Sequence, residues 1–342
     1  MFLANRVVIL AVVLLAVVMI GFTITRSTGT PLYASLGMAV SEAIIEQRAE
    51  EMGLNEPIVV QFWTYVVHLL QGDLGVSRIS RIPVAEDIAL KLPATAEMVF
   101  FTLMVSFIWA IPLGVRAGLR PGGRLAKLGE GMAQFGVSVP AFWLGLLFIF
   151  LLYFLPPRIP EPLGPLPALF PPPLARLGSV TPPEMVTGFY TVDALIAGDF
   201  RLAWQALWHL ILPAVTLSLT SGPPLFRVTR TAVSEALASP FVEAAYSYGL
   251  GRRTVLIRDV LRNASPPVLN LTAMTFGYLI GGGVLVEVVF SWPGIGSYAV
   301  WGMDNSDYDV VLAVVIIAAV IYVILYFIVD LIQFAMDPRL RD

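Results

Sequence analysis

The chain has 342 residues, 57% of them hydrophobic and only 13% charged, with a net charge of −3. Soluble domains carry about 25% charged residues, so the composition predicts a membrane protein, and the lack of a basic excess excludes nucleic acid as a partner. With no cysteine and two histidines, His68 and His209, disulfides, thiol catalysis and cysteine-ligated metal are excluded, and neither a metal site nor a cofactor is expected.

A membrane span needs about 20 mostly apolar residues. Six segments qualify, at roughly 7–24, 98–118, 132–155, 206–226, 268–290 and 311–335. The first, VVILAVVLLAVVMIGFTI, has a long apolar core and no small-residue cleavage site close behind it, so it reads as an uncleaved anchor rather than a signal peptide. Loop 25–97 is too long for a plain connector. Within it, SEAIIEQRAEEMGL reads as one amphipathic helix and QFWTYVVHLLQG as a second. Loop 156–205 centres on the proline-rich FPPPLARLGSVTPPEM, which suits extended chain outside the membrane.

Lys and Arg in short loops set orientation. RAGLRPGGRLAK carries Arg116, Arg120, Arg124 and Lys127 and no acid. Segment 227–262 carries six arginines against Glu235, Glu243 and Asp259, whereas 287–309 has Glu287, Asp304, Asp307 and Asp309 and no base. The expectation is an all-α integral membrane protein with both basic loops and both termini cytoplasmic. Loops 25–97, 156–205 and 287–309 then lie outside.

Enzyme signatures are missing. There is no glycine-rich phosphate loop, no H-E-x-x-H and no G-x-S-x-G. His209, beside Trp208, reads as an interfacial residue. Asp330 is the one ionisable residue well inside a span, and a structural, hydrogen-bonded role is favoured over a proton relay.

The polar stretch SPFVEAAYSYGLGRRTVLIRDVLRNA, 239–264, stands between two apolar runs. Ser239 is placed to N-cap, Pro240 suits the first helical position, and Gly249 can end the helix in a left-handed cap. Phe241, Ala244, Ala245 and Tyr248 fall at i, i+3, i+4 and i+7, which predicts one shared face. A second helix is expected at 254–263, with Leu256, Ile257, Val260 and Leu261 opposed to Arg258 and Arg262. The result is a two-helix knob, and docking to a cytoplasmic protein is favoured over lying on lipid because the short helix has no lysine or arginine.

The same stretch resembles the E-A-A-x-x-x-G loop of the membrane subunits of ATP-binding-cassette importers. It is most similar to the first permease subunit of the dipeptide/oligopeptide/nickel group. QGDLGVS, PVAEDIALKLPATAEM, FGVSVPAFWLG, FRVTRTAV, VLVEVVFSWPGIG and VDLIQFAMDPRLR support the resemblance in family order over most of the chain. Arg262 stands where the broader motif has proline, as in the peptide group.

The resemblance implies a type I importer permease (MetI-like) architecture of six transmembrane helices, with an extended extracytoplasmic loop after the first. It divides the chain into 1–97, an anchor helix with its extracytoplasmic segment; 98–336, a five-span core with coupling loop 229–265; and a tail, 337–342. Implied partners are a second permease subunit as a heterodimer, two cytoplasmic ATPase subunits, an extracytoplasmic solute-binding protein and the lipid bilayer. The chain itself is then a transport subunit and no enzyme. Phe241, Glu243, Ala244, Ala245, Tyr248 and Gly249 become the ATPase-coupling residues. Gly281, Gly282 and Gly283 would permit close helix approach, and Glu287, Phe290, Trp292, Pro293 and Gly294 would form a rigid turn at an outer gate or line the path. An ion-coupled secondary transporter is the alternative, and an intramembrane hydrolase stands third.

Overall fold

The computed structural model describes residues 2–27, 55–158, 167–173 and 175–336. The helix expected over SEAIIEQRAEEMGL and the tail 337–342 lie outside the described residues. Among the described residues there is no strand, only an isolated antiparallel bridge between Val76 and Pro83. The helices are α1 (Phe2–Ser27), α2 (Ile58–Leu70), α3 (Val84–Leu119), α4 (Arg124–Ser138), α5 (Ala141–Ile149), α6 (Tyr190–Ile196), α7 (Phe200–Leu237), α8 (Pro240–Ser247), α9 (Arg252–Thr254), α10 (Arg262–Gly282), α11 (Val284–Val289), α12 (Ile295–Asp304) and α13 (Tyr308–Met336).

Helices satisfy their own backbone groups, which is what hydrocarbon demands. Among the described residues three helices are long and apolar enough to cross a membrane, α3, α7 and α13 through Ile332, and Val8–Ile24 of α1 forms a shorter apolar helix. A fourth crossing is formed only if α4 and the helix Ala141–Phe154 are taken together, and they meet at a bend of 101°. The sequence expectation of one continuous span over 132–155 is therefore corrected. Pro140 lacks an N–H and crowds the residue before it, so Val139 is extended (φ −119°, ψ 129°) and the helix must stop and restart. The segment 268–290 is likewise divided, with α10 ending at Gly282 and α11 restarting at Val284.

The chain forms two compact units. One comprises Met1–Lys91 with Tyr298–Phe327, the other Leu92–Ser297 with Ile328–Asp342. In the first, Phe22 near the end of α1 is buried, with the rings of Phe62 and Tyr65 5.5 and 5.7 Å away. The loop after α2 is held by Asp307, whose carboxylate accepts the Ser77 hydroxyl (2.7 Å) and the Arg78 N–H (2.9 Å). The Tyr298 hydroxyl donates to Asp87 at 2.8 Å.

The second unit is organised on α7, against which α4, α5, α6 and α10 pack. A cluster of Ala110, Ala117, Ala126, Ala133, Leu225 and Phe226 fills the contact of α3, α4 and α7. Small residues let these backbones approach closely. The extreme point is Gly136, where an added Cβ would overlap the carbonyl oxygen of Leu219. That carbonyl has no helical donor, because the residue four positions on is Pro223. Gly136→Ala is expected to destabilise the assembled protein by about 1–3 kcal/mol through overpacking. Gly131→Ala on the same helix meets nothing within 4 Å and should be neutral or slightly stabilising. Thermal unfolding in detergent checks both, and an unchanged midpoint for Gly136→Ala would contradict the close approach.

Candidate functional site

The polar stretch folds as a knob on the second unit. α8 starts at Pro240 in the first turn after Ser239 (φ −76°, ψ 144°). Ser239 holds the N-cap position but does not cap, since its hydroxyl donates back to the Glu235 carbonyl at 2.9 Å. The helix ends as the glycine requires. Gly249 has φ +77°, its N–H donates to Tyr246, and the Leu250 N–H reaches back to Ala245. This paired closure is the Schellman arrangement, which demands a left-handed residue.

The faces of α8 are not those of the expected stripe. Val242 (4% exposed) and Ala245 (9%) turn inward and join Ala232, Val233, Ala236, Val255, Val260 and Ala264 in a core. Ala245 is thus separated from Phe241, Ala244 and Tyr248, which stay exposed together with Glu243 and Ser247. The second helix of the knob is also different. Val255–Leu261 is a wide π-helical turn running without a break from α9 into α10. In that geometry residues five apart align, so Val255 and Val260 are both buried while Ile257 is 56% exposed. The following Ser265-Pro266-Pro267 does not interrupt the helix, and the Ser265 hydroxyl donates to the Arg262 carbonyl that Pro266 leaves free (2.8 Å).

The second group of predicted residues meets at the turn after α11. Glu287 is 1% exposed and accepts from the Thr95 hydroxyl (2.6 Å) and the Ser297 N–H (2.8 Å). Trp292 is equally buried, with its ring N–H donating to the Ala94 carbonyl at 2.8 Å. A Cβ on Gly294 would overlap the carboxylate and the Thr95 hydroxyl, so only glycine lets the turn close over Glu287. Phe290 is buried beside Gly145, while Pro293 is exposed. The three glycines do not act alike. Gly281 has open space around it, Gly282 faces Tyr278 of its own helix, and of the three only Gly283 comes near another helix, at Met98.

Sequence reasoning missed the neighbouring network. Glu97 and Arg176 form an ion pair, 1% and 3% exposed. The Glu97 carboxylate also accepts the Thr191 N–H (2.9 Å) and hydroxyl (2.6 Å), and Arg176 donates to the Gly188 carbonyl at 2.7 Å. The guanidinium lies 3.4 Å from the centre of the Tyr190 ring and 5.9 Å from that of Trp292. Burial works against the charge on nearby Asp193, but donors from Thr187 and Gly188 outweigh it and hold its carboxyl below the ordinary range. The loop rich in proline is thereby fixed on the first turns of α3. Only a charged residue amid prolines hinted at this. Arg176→Met should cost about 3–5 kcal/mol by leaving Glu97 buried without its cation. The Arg176→Met, Glu97→Gln double variant should recover part of that loss, and thermal unfolding of the four proteins of this cycle measures the coupling.

Residues 110–342 match the family described as binding-protein-dependent transport system inner membrane component, and residues 1–99 match the N-terminal region of such components. The chain is 32% identical over 340 residues to a dipeptide transport system permease protein of Alkalihalophilus pseudofirmus, covering 98% of each chain. A probable D,D-dipeptide transport system permease protein of Escherichia coli K12 is 35% identical over 332 residues, 97% of this chain and 94% of its own. A glutathione transport system permease protein of Salmonella paratyphi A is 29% identical over 313 residues, 92% and 89% of the two chains. Members of this family are multi-pass inner membrane proteins that work with another permease, with a substrate-binding protein and with separate ATPase subunits, in which ATP hydrolysis resides. The chain belongs to the binding-protein-dependent transport system inner membrane component family, as the permease subunit of an ATP-binding-cassette importer.

Proposed function

We propose that this chain is the first of two non-identical permease subunits of a peptide importer, with six spans and both termini in the cytoplasm. In this reading the two permeases form the path, and two ATPase subunits sit beneath them. A solute-binding protein delivers substrate from outside. The knob supports it most directly. α8 is rooted by Val242 and Ala245 in its own chain and ended by Gly249, so it can move as a rigid piece. Phe241, Ala244 and Tyr248, with Glu243, form the surface offered to an ATPase. Ala245 contributes by holding that surface in place. Closure of the ATPases would push the knob and rock the spans between inward-open and outward-open states. The turn of Glu287, Trp292 and Gly294 would brace the outer gate. Relatives named for dipeptide, D,D-dipeptide and glutathione transport support a short peptide as solute.

Uptake of radiolabelled dipeptides by proteoliposomes holding the complete assembly tests the reading. Gly249→Val places a β-branched residue in a left-handed cap. It should lower uptake about tenfold or more, a coupling loss of at least ~1.4 kcal/mol, at unchanged abundance of the chain. Since the chain has no native cysteine, single thiols report single positions. Ala244→Cys should cross-link to a cysteine in the ATPase groove, and Ala245→Cys much less. Strong aqueous labelling of Ala244→Cys in the assembly, with no cross-link, would refute docking at this face.

A further inference from the structure

The surface of helix α2 is sharply divided. Phe62, Tyr65, Val66 and Leu69, at i, i+3, i+4 and i+7, are half-buried, and Phe62 and Tyr65 meet Phe22 of α1. A second stripe, Val59, Trp63, Val67 and Leu70, is apolar and exposed at 62, 55, 47 and 83%. The polar residues Gln61, Thr64, His68 and Gln71 fall at i, i+3, i+7 and i+10, which makes one narrow third stripe. At 100° per residue the two apolar stripes together form one wide arc, and the polar stripe is centred opposite it.

The position of α2 is tied at both ends. Phe22 lies five residues from the end of α1, whose Val12, Met19, Ile20 and Ile24 are exposed apolar side chains of the kind that face lipid. The far end of α2 closes with Asp73 N–H on His68 O and Gly72 N–H on Leu69 O, Gly72 being left-handed at φ +84°. The chain then passes directly into the loop that Asp307 holds. The exposed apolar stripe thus belongs to a helix packed on the end of α1, whose own exposed side chains are apolar, and no residue of α2 is fully buried.

We propose that α2 lies flat in the membrane interface at the face where α1 ends, with Val59, Trp63, Val67 and Leu70 immersed among lipid chains and Gln61, Thr64, His68 and Gln71 toward water. Thirteen residues give about 20 Å of helix, too short to cross and suited to lying in the plane. Trp63 is the residue type that anchors at headgroup depth. The polar stripe has no lysine or arginine, so apolar burial and not anionic lipid holds the helix.

Spin labels on single cysteines test this in the full importer, reconstituted in phosphatidylcholine vesicles with and without phosphatidylglycerol. Val67→Cys and Leu70→Cys should collide several-fold more with oxygen than with an aqueous nickel chelate. Thr64→Cys and Gln71→Cys should show the reverse, and the pattern should not depend on phosphatidylglycerol. In the unlabelled protein, the fluorescence lost on Trp63→Phe should be quenched more by lipids brominated near the headgroup than by those brominated deep in the chain. Labels on the apolar stripe that read as aqueous as Thr64→Cys would show a solvated helix and overturn the proposal. Labels shielded from both oxygen and nickel would show a protein cover, whether residues 28–54 or another subunit, and would overturn it equally.

Discussion

A carboxylate shut away from water has to be answered by donors, and the donors to Glu287 come from distant parts of the chain. Thr95 supplies a hydroxyl from the early turns of α3, and Ser297 supplies an N–H from the start of α12. Leaving either donor unmade would cost roughly 1–3 kcal/mol, so the turn 290–297 has little freedom to drift from α3. The same Thr95 oxygen accepts the Ile295 N–H at 2.9 Å, and Trp292 adds its ring N–H to Ala94. One side of α3 thus becomes the post to which the end of α11 is fastened. Glycine is obligatory at 294 because the carboxylate occupies the place of a side chain. Glu97, two residues further along α3 and on another side of it, fastens the proline-rich loop through Arg176 and Thr191.

The knob shows a different kind of constraint, in which a short helix is stable only because one of its faces is not free. Eight residues are too few for a helix to persist alone in water. Val242 and Ala245 supply the missing stability by joining a core built from the end of α7 and the wide turn 255–261. The π-helical register places Val255 and Val260 in that core together. Rooting the helix by these two residues leaves its other side chains uncovered, Phe241, Glu243, Ala244 and Ser247 among them, with Tyr248 just beyond its end.

Prolines divide the helices where the chain must change direction. Pro140 forces Val139 out of helical geometry and bends the path through 101°. In α7, by contrast, Pro213, Pro223 and Pro224 are tolerated within 38 residues. Hydroxyls along this helix, including Thr216 and Ser218, bond to its own carbonyls, and small residues such as Gly136 let neighbours fill the space beside Leu219.

Local chemistry is what the sequence could determine by itself. Composition decided the membrane class, because apolar excess and scarce charge act residue by residue. Pro240 and Gly249 marked the two ends of α8, since a missing N–H and a left-handed backbone belong to single positions. The ordered motifs carried the family. Tertiary structure alone decided which way surfaces point. Ala245 shares a helical stripe with Phe241 and Tyr248 by spacing, yet α7 and the wide turn claim it, and no periodicity within α8 reports what lies beside it. The pairing of Glu97 with Arg176 joins residues 79 positions apart, and the bonding of Thr95 to Glu287 spans 192. Contacts of that separation depend on how helices are brought together, and a buried charge finds its partner only there.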